Sequence, residues 1–211
     1  MLTMALPKGR LLPELVGVLE RGGFVLAREI LANPRRLVFE DGELRLVVVK
    51  DADVPAYVGQ GVADMGFAGL DQILESGEDL LRVKRLPFGH CRLCLLARGG
   101  KSQPPRSRPF RVATKYPNLA QRLLQQRGLW AEIIELAGSV ELAATLDLAP
   151  FVLDLVETGA TLRENGLVIV ETWLSVAPYF VTNRASWATR GDDIKAVMDR
   201  LGGKYENVAY F

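Results

Sequence analysis

Phe151-Val152-Leu153-Asp154-Leu155-Val156-Glu157-Thr158-Gly159-Ala160-Thr161-Leu162 is the stretch on which the reading of this chain turns. An apolar run reaches a single acid, a Thr-Gly-Ala-Thr turn follows, and Leu162-Arg163-Glu164-Asn165 has helix-forming composition. The pattern predicts a buried strand that ends at Asp154 and a short helix that starts near Thr161. Between them lie bare backbone N–H groups, two hydroxyls and a glycine, the makings of a phosphate cradle at a helix N-terminus. Asp154 stands one short loop away, where a carboxylate can hold sugar hydroxyls. A site for a ribose and its 5′-phosphate has this order of parts. The plainer reading is a turn closed by a Thr N-cap. The succession of strand, acid and loop favours the phosphate site.

On either side, elements of both types alternate. Leu2 to Leu6 reads as a strand and Leu11 to Arg21 as a helix stopped by Gly22-Gly23. Asp41-Gly42 between two apolar runs signals a hairpin. Pro55 opens a helix, Ala63 to Phe67 reads as a strand, and Leu70 to Glu75 as a helix. Gly99 to Pro109 is a loop rich in Gly, Pro and charge. A second set follows: strands at Phe110 to Ala113, Trp130 to Glu135 and Phe151 to Leu153, helices at Asn118 to Arg127, Val140 to Leu146 and Ser186 to Leu201. Such alternation predicts an α/β protein with parallel or mixed sheets. Two long extended stretches, Leu81 to Leu96 and Val168 to Thr182, have the length to cross between domains. The expected division is 1–92 plus 180–211 for one domain and 93–179 for the other, with an active cleft between them. One continuous sheet is the alternative.

Composition narrows the class. Apolar residues make up 49% and charged residues 24% of the 211, with a formal net charge of +1. That balance gives no sign of a nucleic-acid surface or a polybasic membrane patch. No run of about 18 uncharged apolar residues occurs, so no membrane span is expected. The N-terminus is apolar before it is basic, the reverse of a signal peptide, and a cytoplasmic location is expected. His90-Cys91-Arg92-Leu93-Cys94 invites a metal or redox reading. On a strand, however, Cys91 and Cys94 point to opposite faces, and a zinc site needs further ligands. Reduced core cysteines are the expectation, with no metal-ligating residue assigned.

Charged residues recur after the predicted strands, where open α/β sheets bind ligands. Lys8 and Arg10 follow the first strand, Lys50 the hairpin and Lys115 the strand ending at Ala113; Glu141 lies in Gly138-Ser139-Val140-Glu141. Phosphates need several cations, and each of these taken alone is equally a solvated surface charge. The glycines of Asp64-Met65-Gly66-Phe67-Ala68-Gly69-Leu70-Asp71 serve either tight packing or close approach of backbone to a ligand.

Taken together, these motifs resemble the ATP phosphoribosyltransferases. Four ordered blocks carry the resemblance: Leu6-Pro7-Lys8-Gly9-Arg10; Asp53-Val54-Pro55-Ala56-Tyr57-Val58 with Ala63 to Asp71; Ala113-Thr114-Lys115-Tyr116-Pro117-Asn118; and Gly138-Ser139-Val140-Glu141-Leu142 with Val152 to Leu162. They span residues 6 to 162 in the family's order. Two departures stand out: Pro150 replaces a usual acid in Asp147-Leu148-Ala149-Pro150, and Lys50 stands where Arg is common. Lys keeps that charge and loses bidentate geometry.

The resemblance implies a two-domain bilobal fold like the type II periplasmic binding proteins. It implies transfer of phosphoribosyl from PRPP to N1 of ATP with release of pyrophosphate, the first step of histidine biosynthesis. Mg2+ would arrive bound to substrate. Asp154, Arg10 and Lys8 become the catalytic candidates. Asp154, Glu157, Thr158, Gly159, Ala160 and Thr161 become the PRPP site. Lys8, Arg10, Arg35, Lys50, Lys115 and Glu141 are assigned to ATP or pyrophosphate, with Arg36 as an alternative to Arg35. The chain's length matches the family's short form, which implies a homodimer within a hetero-oligomer containing a regulatory subunit that resembles histidyl-tRNA synthetase. Two rivals remain. Salvage phosphoribosyltransferases place two acids before their loop, whereas Leu155 stands beside Asp154 here. A solute- or effector-binding protein of the same fold would bind without turnover.

Overall fold

The computed structural model describes residues 1–99 and 103–202. Part of the expected loop, residues 100–102, and the end of the expected first domain, residues 203–211, lie outside them. The chain forms two compact units, Met1–Gly89 with the residues from Ala177 onward, and His90–Val176. Each has its own sheet.

In the first unit the strands are β1 (Leu2–Lys8), β2 (Val38–Glu40), β3 (Leu44–Lys50), β4 (Met65–Gly69), β5 (Leu80–Arg85) and β11 (Pro178–Asn183), ordered β2-β3-β1-β4-β11-β5. β3, β1 and β4 run parallel, and β2, β11 and β5 are antiparallel to their neighbours. The Asp41-Gly42 hairpin forms as expected, with Gly42 at φ 89° and Asp41 Oδ1 accepting from the N–H groups of Glu43 and Leu44. Helix α1 (Leu12–Arg21) buries Leu15, Val16 and Leu19, the stripe its spacing predicts. These pack with Met4, Leu6, Phe24, Phe39, Leu46 and Phe180 into one core. A short helix, α2 (Arg28–Ala32), had no sequence expectation; its five residues are too few for a period to show. α3 (Val54–Gly59) and α4 (Leu70–Ser76) cover other parts of the sheet.

The expected extended stretches each divide in two. Leu81 to Leu96 resolves into β5 and β6 (Cys91–Arg98), and Val168 to Thr182 into β10 (Leu167–Val176) and β11. The chain thus passes between units twice, at residues 86–90 and at Ala177. The second sheet is ordered β10-β6-β9-β7-β8, with β7 (Phe110–Thr114), β8 (Ala131–Glu135) and β9 (Phe151–Val156) parallel and β6 and β10 antiparallel. Helices α5 (Pro117–Gln126), α6 (Glu141–Thr145) and α7 (Ala160–Glu164) belong to this unit. Helix α8 (Arg184–Arg200) returns to the first unit; Asn183 caps it by accepting from Ala185 and Ser186 N–H, and it bends at Arg190 beside Gly191.

Candidate active site

The second unit holds the signature stretch. β9 continues to Val156, two residues past the expected end at Asp154. The reason is a change of partner. Parallel β7 stops pairing at Thr114–Leu153, while antiparallel β6 pairs on through Arg92–Val156. Asp154 therefore lies within a strand, opposite Cys94. Its side chain shares a face with Val152 and Val156, which sit in a core with Val140, Ala143, Ala144 and Leu162 of the α6 and α7 segments. The residue is half-buried and its Oδ1 is buried.

Beyond the strand, Glu157 and Thr158 are exposed and Gly159 adopts φ 75°, ψ 11°, a left-handed conformation suited to glycine. α7 begins at Ala160, so Thr161 is its second residue and not its cap. Gly159 holds the cap position without a side-chain bond. The plainer reading, a turn closed by a Thr N-cap, is not what forms: the left-handed turn at Gly159 brings the chain off β9 directly into the helix. Thr158 Oγ1 accepts from Ala160 N–H at 3.5 Å, and Arg163 N–H reaches Gly159 O at 3.3 Å. First-turn N–H groups of a helix have no acceptor within it, and those of Ala160, Thr161 and Leu162 occupy this turn.

Lys115 is exposed at the end of β7, its Nζ 5.1 Å from the ring centre of Tyr116. Thr114, just before it, is fully buried. Its Oγ1 donates to Leu153 O at 2.8 Å and accepts from Tyr116 N–H at 3.0 Å. Nothing in the sequence marks this hydroxyl, because a Thr ending a strand carries no sign that it will be buried. Glu141 opens α6, half-buried, after Ser139 at φ 48°. Asp154, Lys115, Glu141 and the Thr158–Thr161 loop thus all follow or lie near the C-terminal ends of parallel strands in one sheet.

The first unit gathers the other cations at the corresponding end of its own sheet. Lys8 and Lys50 close β1 and β3 and are register partners in the parallel ladder. Both are exposed, as is Arg10, which follows Gly9 at φ 122°. The segment before β2 runs back along β3, with Val48 N–H donating to Leu37 O at 2.8 Å, and so leads Arg35 toward the Lys50 end. Arg36 is engaged elsewhere: Nε donates to Val38 O, Nη1 lies 3.3 Å from Glu29 Oε2, and the guanidinium covers Phe39 at 4.9 Å. Arg35, which is exposed, is the better of the two candidates.

The Asp64–Asp71 block resolves toward packing. A Cβ on Gly66 would stand 2.8 Å from Ala5 O, so this glycine lets β4 lie close to β1. A Cβ on Gly69 would collide with the Asp71 carboxylate. Asp64 accepts from Thr3 N–H, Ser186 Oγ and Arg190 Nη1 at 2.8–3.1 Å. Cys91 and Cys94 are buried thiols, and His90 is exposed. Among the described residues no group of three or more His, Cys, Asp or Glu is placed to hold a metal, and no helix is long and apolar enough to cross a membrane.

The profile of one family, ATP phosphoribosyltransferase, matches residues 50–203. The ATP phosphoribosyltransferase of Thermus thermophilus is 44% identical over 200 residues, covering 95% of each chain. That of Geobacter metallireducens is 40% identical over 205 residues, covering 95% of this chain and 96% of the relative. In the solved structure of the ATP phosphoribosyl transferase (HisG:HisZ) complex from Thermotoga maritima, one chain superposes with a TM-score of 0.86 at 34% identity, covering 96% of this chain and 97% of that one. The alkanesulfonate-binding protein SsuA of Xanthomonas axonopodis superposes at TM-score 0.58 and 16% identity, covering 95% of this chain and 71% of its own. That likeness shows the fold alone. The expected two-domain α/β fold, like that of the periplasmic binding proteins, is the one observed.

Proposed function

Since the chain belongs to the ATP phosphoribosyltransferase family, we propose that it transfers the 5-phosphoribosyl group of PRPP to N1 of ATP, with Asp154 and the Glu157–Thr161 loop as its PRPP site. The supporting observation is the geometry of β9 and its loop: a half-buried carboxylate near the strand's end, a left-handed glycine, then the first-turn N–H groups of α7. The N–H groups and the hydroxyls of Thr158 and Thr161 bind the 5′-phosphate. Asp154 accepts hydrogen bonds from the ribose hydroxyls.

The reaction makes one bond and breaks one. Adenine N1 donates its lone pair to C1′ as the C1′–O bond to pyrophosphate breaks, and pyrophosphate leaves with that electron pair. Positive charge develops on the ribose, so neutralising the leaving group lowers the barrier. Lys8, Arg10, Arg35, Lys50 and Lys115 are the cations for pyrophosphate and the phosphates of ATP. Substrate-bound Mg2+ would neutralise charge on the PRPP pyrophosphate, a mode that needs few protein carboxylates, and Asp154 would be its acidic neighbour. Glu141 orients the adenine amino group by accepting a hydrogen bond from it, one that strengthens as N1 takes on positive charge. Holding N1 against C1′ supplies much of the remaining acceleration.

A HisZ-type regulatory subunit is the partner, as HisZ is in the Thermotoga maritima complex; a homodimer of the catalytic chain within that assembly is part of the proposal. The cytoplasm is the compartment of this reaction. The test is pyrophosphate release from Mg·PRPP by the chain with that subunit, with and without ATP. Release that depends on ATP supports the reading. Equal release without ATP, or none, overturns it.

A further inference from the structure

Thr114 is a polar residue with no exposure, and its hydroxyl is used twice. Oγ1 donates to Leu153 O at 2.8 Å and accepts from Tyr116 N–H at 3.0 Å. Leu153 is the residue before Asp154, and Tyr116 is the residue after Lys115. Thr114 and Leu153 are also the last register pair between β7 and β9. Past this pair β9 continues against β6 alone, while β7 turns at Tyr116 into α5. Backbone ladder bonds hold two strands together only as far as the ladder runs. Here a side chain reinforces the last pair and links it to the turn at Tyr116, at the point where the two candidate ligand residues emerge.

We propose that Thr114 is a positioning residue for PRPP: its hydroxyl fixes the spacing between Lys115 and Asp154, so that cation and carboxylate meet phosphate and ribose at a set separation. This rests on the assignment of Lys115 and Asp154 to the substrate. The hydroxyl does what shape alone does not. Valine matches threonine in volume but leaves Tyr116 N–H, in a buried turn, without its acceptor. The turn would then move to find another, and Lys115 with it.

The variants Thr114→Val, Thr114→Ser and Thr114→Cys test this, with Asp154→Asn as reference. Mg·PRPP binding to the full chain is measured by calorimetry, and KM values are measured in the complex with the regulatory subunit. Thr114→Val is expected to raise the PRPP Kd by about tenfold, the equivalent of one hydrogen bond. KM for ATP should stay within about twofold. Thr114→Ser keeps the hydroxyl and should bind as the parent does; Thr114→Cys, a weak donor, should fall between. If Thr114→Val melts lower but binds PRPP unchanged, Thr114 only packs. If Thr114→Ser loses affinity as Thr114→Val does, the methyl group matters and the proposal fails. Should the valine chain not fold, the order of Ser and Cys decides by the same criterion. Unchanged PRPP affinity in Asp154→Asn would remove the underlying site assignment, an outcome read without any Thr114 variant.

Discussion

Asp64 and Asp154 are both half-buried acids beside strands of a parallel ladder, and they are used in opposite ways. Asp64 stands just before β4, at the N-terminal end. Thr3 N–H binds its Oδ2, Ser186 Oγ binds its Oδ1, and Arg190 Nη1 reaches both oxygens. It ties β1, β4 and α8 into one unit. Asp154 lies near the C-terminal end of β9, three residues before a loop of exposed hydroxyls. Strand direction separates the two: the N-terminal edge carries support and the C-terminal edge carries ligand chemistry.

Exchanging the effects of these two acids would break that comparison. Asp154→Ala should lower transfer by roughly 10- to 150-fold, since a lost hydrogen bond to a charged group costs about 1.5–3 kcal/mol. Its melting temperature should stay near that of the parent. Asp64→Ala should do the reverse. It takes the acceptor from Arg190 Nη1 and the Thr3 N–H, while Arg190 Nη2 keeps its bond to Met1 O, and because the Arg190 side chain is 33% exposed the cost is discounted to about 2 kcal/mol. The melting temperature should then fall by roughly 4–8 °C, with KM for PRPP unchanged. A kinetic defect in Asp64→Ala at a temperature where it is folded would put both acids in the site.

Two glycines sharpen the same contrast. Gly159 is required for conformation: at φ 75° an added Cβ meets only Arg163 Nη1 at 3.6 Å and Val156 Cγ1 at 3.9 Å, ordinary contacts. Gly159→Ala should fold and bear about 1 kcal/mol of left-handed strain. That strain sits in the phosphate loop, so PRPP affinity should drop by about fivefold in a titration. Gly66 is required for space, with Ala5 O only 2.8 Å from the Cβ position and Val58 Cγ2 3.1 Å away. Gly66→Ala should cost roughly 1–3 kcal/mol of stability in chemical denaturation and leave PRPP affinity alone. Equal loss of affinity in both would mean that the two units do not behave separately.

What the sequence made legible follows the same line. The order strand, acid, glycine turn and helix is local chemistry, and it could be read from residues 151–162 directly. The Asp41-Gly42 hairpin and the α1 stripe were legible for that reason too. Where β9 ends was not, because that depends on β6, some 60 residues earlier in the chain. The short helix at Arg28–Ala32 has too few residues to show a period. Gly159 was legible as a turn glycine, whereas Gly66 read equally as packing or as close approach to a ligand; only the position of β1 decides for packing. Thr114 was hidden in the same way, since its burial depends on two neighbouring strands and a turn. The cations were legible by position alone, and the pairing of Lys8 with Lys50 appeared only with the register of β1 and β3.

That pairing gives the smallest expected effect. Two exposed ammonium groups end neighbouring parallel strands, where like charges side by side repel. Nothing in folding requires the arrangement, whereas an incoming polyphosphate would turn the repulsion into shared attraction. Lys50→Gln should therefore leave the melting temperature equal to or slightly above that of the parent while raising KM for the substrate it contacts by roughly threefold. The difference should shrink as salt rises from 50 to about 500 mM, because exposed charges are screened over a Debye length of a few ångströms there. Lys50→Arg should retain the charge and bind at least as well. A fall in melting temperature without a salt-dependent change in KM would return Lys50 to the structural side, with Asp64, and leave Lys8 and Arg10 to meet the phosphates without it.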